Sequence, residues 1–250
     1  MKRFMKAVAA IILTVTAMLV VGCTKPDDPS NGGNNDGNGD VVDEYACVDL
    51  GLPSGLLWAT CNVGANTPEE YGDYFAWGET QPKDVYDWPN YCYFNGSDNA
   101  LLFTKYCTEP YWGYNGFVDN LTVLEPGDDA ATANWGADWR MPTKEEWREL
   151  YMNTTVIADT TLNDVVGMFC IAENGNSIFL PAASYHWCDE FCALDVYGYN
   201  GYYWSSTLGI EPPEGWAITF SNQEHFGSVD CYMGQFGRYS GFSVRPVRQN

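Results

Sequence analysis

The sequence predicts an α+β fold, because two helix signals stand among a larger set of short strand signals without alternating with them. The first helix signal covers residues 128–135, where Asp128 and Asp129 precede an alanine-rich stretch that Gly136 ends. The second covers residues 142–150. There Thr143 is expected to cap the helix, Glu146 answers it three residues on, and Trp147, Leu150 and Tyr151 share one face. A third start, at residues 67–70, has a cap, a proline and a glutamate, but Gly72 limits it to about one turn. Strands are expected at residues 56–63, 177–181, 202–206, 216–220 and 241–247, each a run of β-branched and aromatic residues between turn formers.

Composition bounds the function. Of 250 residues, 46% are hydrophobic, and 10 Trp, 17 Tyr and 12 Phe supply enough apolar surface to bury a core. Thirty-three acidic residues stand against 12 basic ones, a net charge of -21. Such a surface has no basic footprint for a phosphate backbone, which argues against nucleic-acid binding.

The chain divides into three parts. Lys2, Arg3 and Lys6 precede an apolar run from Ala7 to Val21, which is too short for a permanent membrane span and fits a signal peptide over residues 1–22. Val20-Val21-Gly22-Cys23 resembles a bacterial lipobox, so Cys23 is the expected site of acylation and the only contact with the membrane. Residues 23–44, rich in Pro, Gly, Asn and Asp, read as a solvated tether. Residues 45–250 show no second linker and read as a single domain. Together these place the chain as an outer-membrane lipoprotein displayed at the cell surface.

Six segments then resemble one family. "VDLGLPSGLLWATCNVGA", "EEYGDYFAWGET", "WRMPTKEEWREL", "GNSIFLPAAS", "GYYWSST" and "SGFSVRPVR" look like the Fibrobacter major paralogous domain family of secreted bacterial lipoproteins, over Val48 to Arg248. That family is distantly similar to formylglycine-generating enzymes. Their "RLPTEAEWE" run corresponds to residues 140–147, and their terminal "GFR" to Gly241-Phe242-Ser243. The resemblance implies a C-type-lectin-like fold with two helices, short strands in a mixed sheet, and long loops. In it Arg140, Thr143, Glu146 and Trp147 form a structural motif, with Arg140 pairing Glu145 or Glu146 or satisfying buried carbonyls. Trp135 and Trp139 are expected beside Trp147 as core rings.

Catalytic signatures are few. The cysteine pair that formylglycine-generating enzymes place before the terminal glycine-phenylalanine is missing, since residues 232–240 hold no second thiol beside Cys231. His186 and His225 are the only imidazoles. His186, Cys188 and Cys192 do not match a standard zinc spacing. Eight cysteines remain after Cys23, an even number that allows disulfides in an envelope setting without selecting a pattern; Cys61 reads as a buried thiol or a bridge to a neighbouring strand. Loop calcium through Asp119, Asp128 or Asp129 is disfavoured, since the sugar-binding tripeptides of calcium-dependent lectins are missing, and no cofactor is expected.

Three ring-rich loops remain as candidate binding surfaces: residues 86–96, 111–117 and 197–203. Within them Trp88, Tyr91, Tyr111, Trp112, Tyr114 and Tyr199 are the candidate ligand contacts. Tyr and Trp among Asn, Asp and Gly can stack on sugar faces or anchor a protein partner. The expected function is non-catalytic binding of a glycan or an extracellular or envelope protein. An enzyme derived from the formylglycine-generating fold and a structural or pilus-associated envelope component are the alternatives.

Overall fold

The computed structural model describes residues 45–97, 100–187, 199–221 and 230–250. The signal segment, Cys23 and the tether lie outside the described residues, as do Cys188, Cys192, Tyr197, His225 and Gly227. Within them the fold is α+β, with two α-helices and ten strands in three sheets. In chain order the elements are β1 (Cys47–Asp49), β2 (Leu57–Ala59), α1 (Ala130–Trp135), β3 (Trp139–Arg140), α2 (Lys144–Met152) and β4 (Thr154–Leu162). They continue with β5 (Val165–Ala172), β6 (Ser177–Pro181), β7 (Asn200–Leu208), β8 (Glu214–Ser221), β9 (Asp230–Gly237) and β10 (Val247–Arg248).

The first sheet has the order β1-β2-β10-β3, so Val48 from one end of the described chain and Val247 from the other both lie opposite Trp58. The other sheets are the meanders β4-β5-β6 and β7-β8-β9. Every pairing between these strands is antiparallel. This corrects the mixed sheet that the family resemblance implied; parallel contacts are confined to isolated bridges such as Tyr203 with Ser243.

Both helices start where local chemistry directs. Asp129 Oδ1 accepts from Thr132 N at 3.0 Å and caps α1, while its Oδ2 accepts from Met141 N at 2.8 Å. Gly136 closes α1 at φ 96°, a left-handed geometry that a β-carbon would strain. Asp128 departs from the expected cap and instead accepts from Lys105 Nζ and the Tyr106 hydroxyl. In α2, Thr143 and Glu146 form a complete capping box, and Glu146 also holds Arg140 through two bonds of 2.7 and 2.6 Å. Trp147 and Leu150 are fully buried, and burial of each stabilises by about 1.5–3 kcal/mol. Tyr151, expected on that face, is exposed because it lies about 100° around the helix from Leu150. The segment at residues 67–70 is a turn rather than a helix, and Glu70 accepts from Asn66 N.

Buried indoles tie the elements together. Trp147 of α2 donates to Trp204 O of β7 at 3.1 Å, Trp204 donates to Phe75 O at 2.8 Å, and Trp77 donates back to Ser205 O at 2.8 Å. In each of these three bonds an indole N–H that burial strips of water meets a backbone carbonyl. Trp135, Trp139 and Trp147 all sit in the core, Trp135 stacked on Tyr45 with centroids 3.9 Å apart.

Candidate functional site

The site grows from the segment around residues 74–103. Tyr91 donates to Trp77 O at 2.7 Å, and Tyr86 donates to Tyr74 O at 2.6 Å, which seats this stretch on the core. Lys83 clamps its entry, bonding Glu79 and Asn90 O, and Glu79 also accepts from Cys92 N at 2.8 Å. The following hairpin closes through Asn95 N to Leu102 O and reciprocal bonds between Ser97 and Ala100. Only glycine fits at Gly96, where a β-carbon would stand 2.1 Å from Ala100 O.

Against this scaffold lies a cluster built almost wholly of rings. Trp88 contacts Tyr239 at 4.6 Å, Phe103 at 5.4 Å, Phe94 at 5.7 Å and Tyr91 at 5.9 Å between centroids. Behind Phe103 sits Arg238, fully buried, its guanidinium 4.2 Å from the Phe103 ring centroid. Arg238 Nη1 donates to Lys105 O and Tyr106 O, while its Nε and Nη2 have no acceptor among the described residues.

In front of the cluster opens a cleft of about 660 Å³. Trp88, Phe94, Trp187 and Tyr239 line it with rings, and Asp87, Asn95 and Ser97 line it with polar groups. Trp187 is 46% exposed and Trp88 half-buried, so both present ring surface to solvent while Trp88 stays anchored. Asp87 Oδ1 accepts from Asn90 N and Nδ2 at 2.9 and 2.6 Å, which fixes the carboxylate and leaves Oδ2 without a partner among the described residues. Half-exposed rings with oriented amide, hydroxyl and carboxylate groups can stack on an apolar face and exchange hydrogen bonds with hydroxyls around its rim.

The six candidate contacts separate. Trp88 lines the cleft. Tyr91 differs from its expected surface role, being 2% exposed with its hydroxyl committed to Trp77. Trp112 is half-buried behind the cleft, and the backbone of its loop bonds Phe103 on both sides. Tyr111, at 79% exposure, and Tyr114 and Tyr199 stand in solvent away from the cleft. Sequence reasoning did not find Trp187 and Tyr239 as partners of Trp88. Trp187 stood inside the segment read for metal ligands, and Tyr239 outside every ring-rich run.

The other chemical candidates have structural partners. Asp119 accepts from the backbone N–H of Tyr106, Cys107 and Leu121. Asp128 and Asp129 hold Lys105 and the α1 start, and no group of three or more His, Cys, Asp or Glu places metal-ligand geometry among the described residues. His186 packs edge-on to Tyr74 at 4.3 Å, and burial lowers its pKa. Cys61 is fully buried and disulfide-bonded, whereas Cys92, Cys107, Cys170 and Cys231 are free thiols. Burial pushes the Cys170 and Cys231 thiols up to about 12, which favours their protonated form. No helix among the described residues is long and apolar enough to cross a membrane. No family model, no curated protein and no solved structure matches the chain.

Proposed function

We propose that this chain is a lipid-anchored envelope protein that binds a glycan without transforming it, and that the cleft around Trp88 is its binding site. The observation that carries the reading is the cleft itself. Two solvent-facing indoles and two further rings share a cavity of about 660 Å³ with a fixed carboxylate, an amide and a hydroxyl. A pyranose offers a matching pair of surfaces, an apolar C–H face for rings and hydroxyl edges for polar groups. The lipobox-like Cys23 and the tether of residues 23–44 support display of this domain outside the membrane. The six segments that resemble the Fibrobacter major paralogous domain family support a C-type-lectin-like fold, and the two helices are compatible with it.

The reading is tested with the mature lipoprotein in detergent micelles on an array of bacterial, plant and animal glycans. Saturable binding that Trp88→Ala abolishes is the expected result. Binding unaffected by Trp88→Ala, or turnover of a bound oligosaccharide, would contradict the proposal.

A further inference from the structure

The charges around the cleft select among sugars. Residues 45–250 hold 27 acidic side chains and eight basic ones, and all eight basic residues are among the described residues. None lines the cleft. Lys83 is held by Glu79, Lys105 by Glu125 and Asp128, and Arg140 by Glu146. Lys144 lies over the Trp216 ring and Arg248 over Trp139. Arg238 and Arg245 are fully buried, and Arg148 is on the exposed side of α2. Among the described residues that line the cleft, Asp87 is the one carboxylate; Asn90 holds its Oδ1, and its Oδ2 has no partner among the described residues and can accept only from a donor.

We infer that the cleft takes glycans that carry no carboxylate, sulfate or phosphate. The inference rests on the glycan reading above and deepens it. A uronate, sialic acid or sulfated sugar entering the cleft would lose water around its anion, meet no cation, and face Asp87 in a strongly acidic surround. A neutral hexose or N-acetylhexosamine instead offers hydroxyl donors to Asp87 and Ser97, donors and acceptors to Asn95, and a C–H face to Trp88 and Trp187.

The test uses the mature lipoprotein in detergent micelles against two sets of probes at low and high salt. One set is neutral: cellohexaose, maltohexaose, mannohexaose and chitohexaose. The other is acidic: oligogalacturonate, sialylated lactose and sulfated galactan fragments. The expected result is saturable binding within the neutral set that changes little with salt and is at least about tenfold tighter than any acidic probe. Trp187→Ala, which removes an exposed ring and leaves the core untouched, is expected to abolish it. Asp87→Asn is expected to weaken it severalfold. Tightest binding to an acidic probe, lost in Trp187→Ala, would overturn this inference and leave the glycan reading standing. Capture of no probe from either set would overturn both.

Discussion

Arg245 and Arg238 are both fully shielded from solvent, and neither pairs with a carboxylate among the described residues, yet their surroundings differ. Arg245 donates to Asn62 Oδ1, Ala59 O, Thr60 O and Phe179 O at 2.8–3.2 Å, which joins the first sheet to β6. Burial lowers its pKa to about 10, so it stays charged near neutrality. Arg238 has two carbonyls on Nη1 and otherwise lies among the rings of Phe103, Tyr91 and Trp77. The contrast separates a region locked by directional bonds from one held by edge-on and tilted ring contacts. The second region backs the cleft, which Trp88, Phe94, Trp187 and Tyr239 line with ring surfaces.

The comparison is broken most severely at Arg245. Arg245→Met strands four buried oxygens and is expected to cost on the order of 3–5 kcal/mol, read as a large drop in urea midpoint or as loss of folded protein. Trp88→Ala comes next. It removes a half-buried ring from contact with four others, so we expect about 2–3 kcal/mol of destabilisation and complete loss of glycan binding, measured by thermal melt and calorimetry. A melt unchanged within error would show that the ring cluster does not hold the loop.

A smaller effect is expected at Glu146. Burial raises its pKa, but the bonds from Arg140 and Thr143 outweigh burial and leave it below the ordinary carboxylate value. A carboxylate depressed in the folded state contributes stability that is fully present above its unfolded pKa, about 4.3, and is lost as pH falls through the folded value. Glu146→Gln should cost about 1–2 kcal/mol at pH 7 and flatten the acid limb of stability below about pH 4. An acid limb as steep as that of the parent protein would assign that limb to other groups. Arg238→Met is expected to have the smallest effect, within about 1 kcal/mol, because two of its N–H groups have no acceptor to lose. A loss as large as that at Arg245 would erase the distinction.

Elements with local signatures were legible. The α2 capping box needs only Thr143 and Glu146, and β6 coincides with the run at residues 177–181. Cores of β7 and β8 also stood out as ring-rich and β-branched runs. The β4–β5 hairpin was not anticipated. Its two-residue turn is Asn163-Asp164, with φ of 48° and 66°, and lacks the glycine that usually marks such turns. β9 was also missed, since its two glycines and glutamine weaken the strand pattern, and its eight residues are ordered by pairing along β8. The expected strand at residues 241–247 shrinks to β10 because Pro246 lacks a donor and residues 242 and 243 make isolated bridges with Phe75 and Tyr203. For the site, Trp88 was legible as a ring in a polar loop. Its cleft partners Trp187 and Tyr239 were not, because distant segments of the chain meet only through the fold.

The most direct test of the glycan-binding account uses fluorine NMR of the protein labelled with 5-fluorotryptophan at its ten tryptophans. Resonances assigned by single substitutions are followed while the tightest-binding neutral oligosaccharide is added. Saturable shifts at Trp88 and Trp187, with Trp58, Trp147 and Trp204 unmoved, are the predicted result. Shifts at neither Trp88 nor Trp187 would contradict the assignment of the cleft as the binding site.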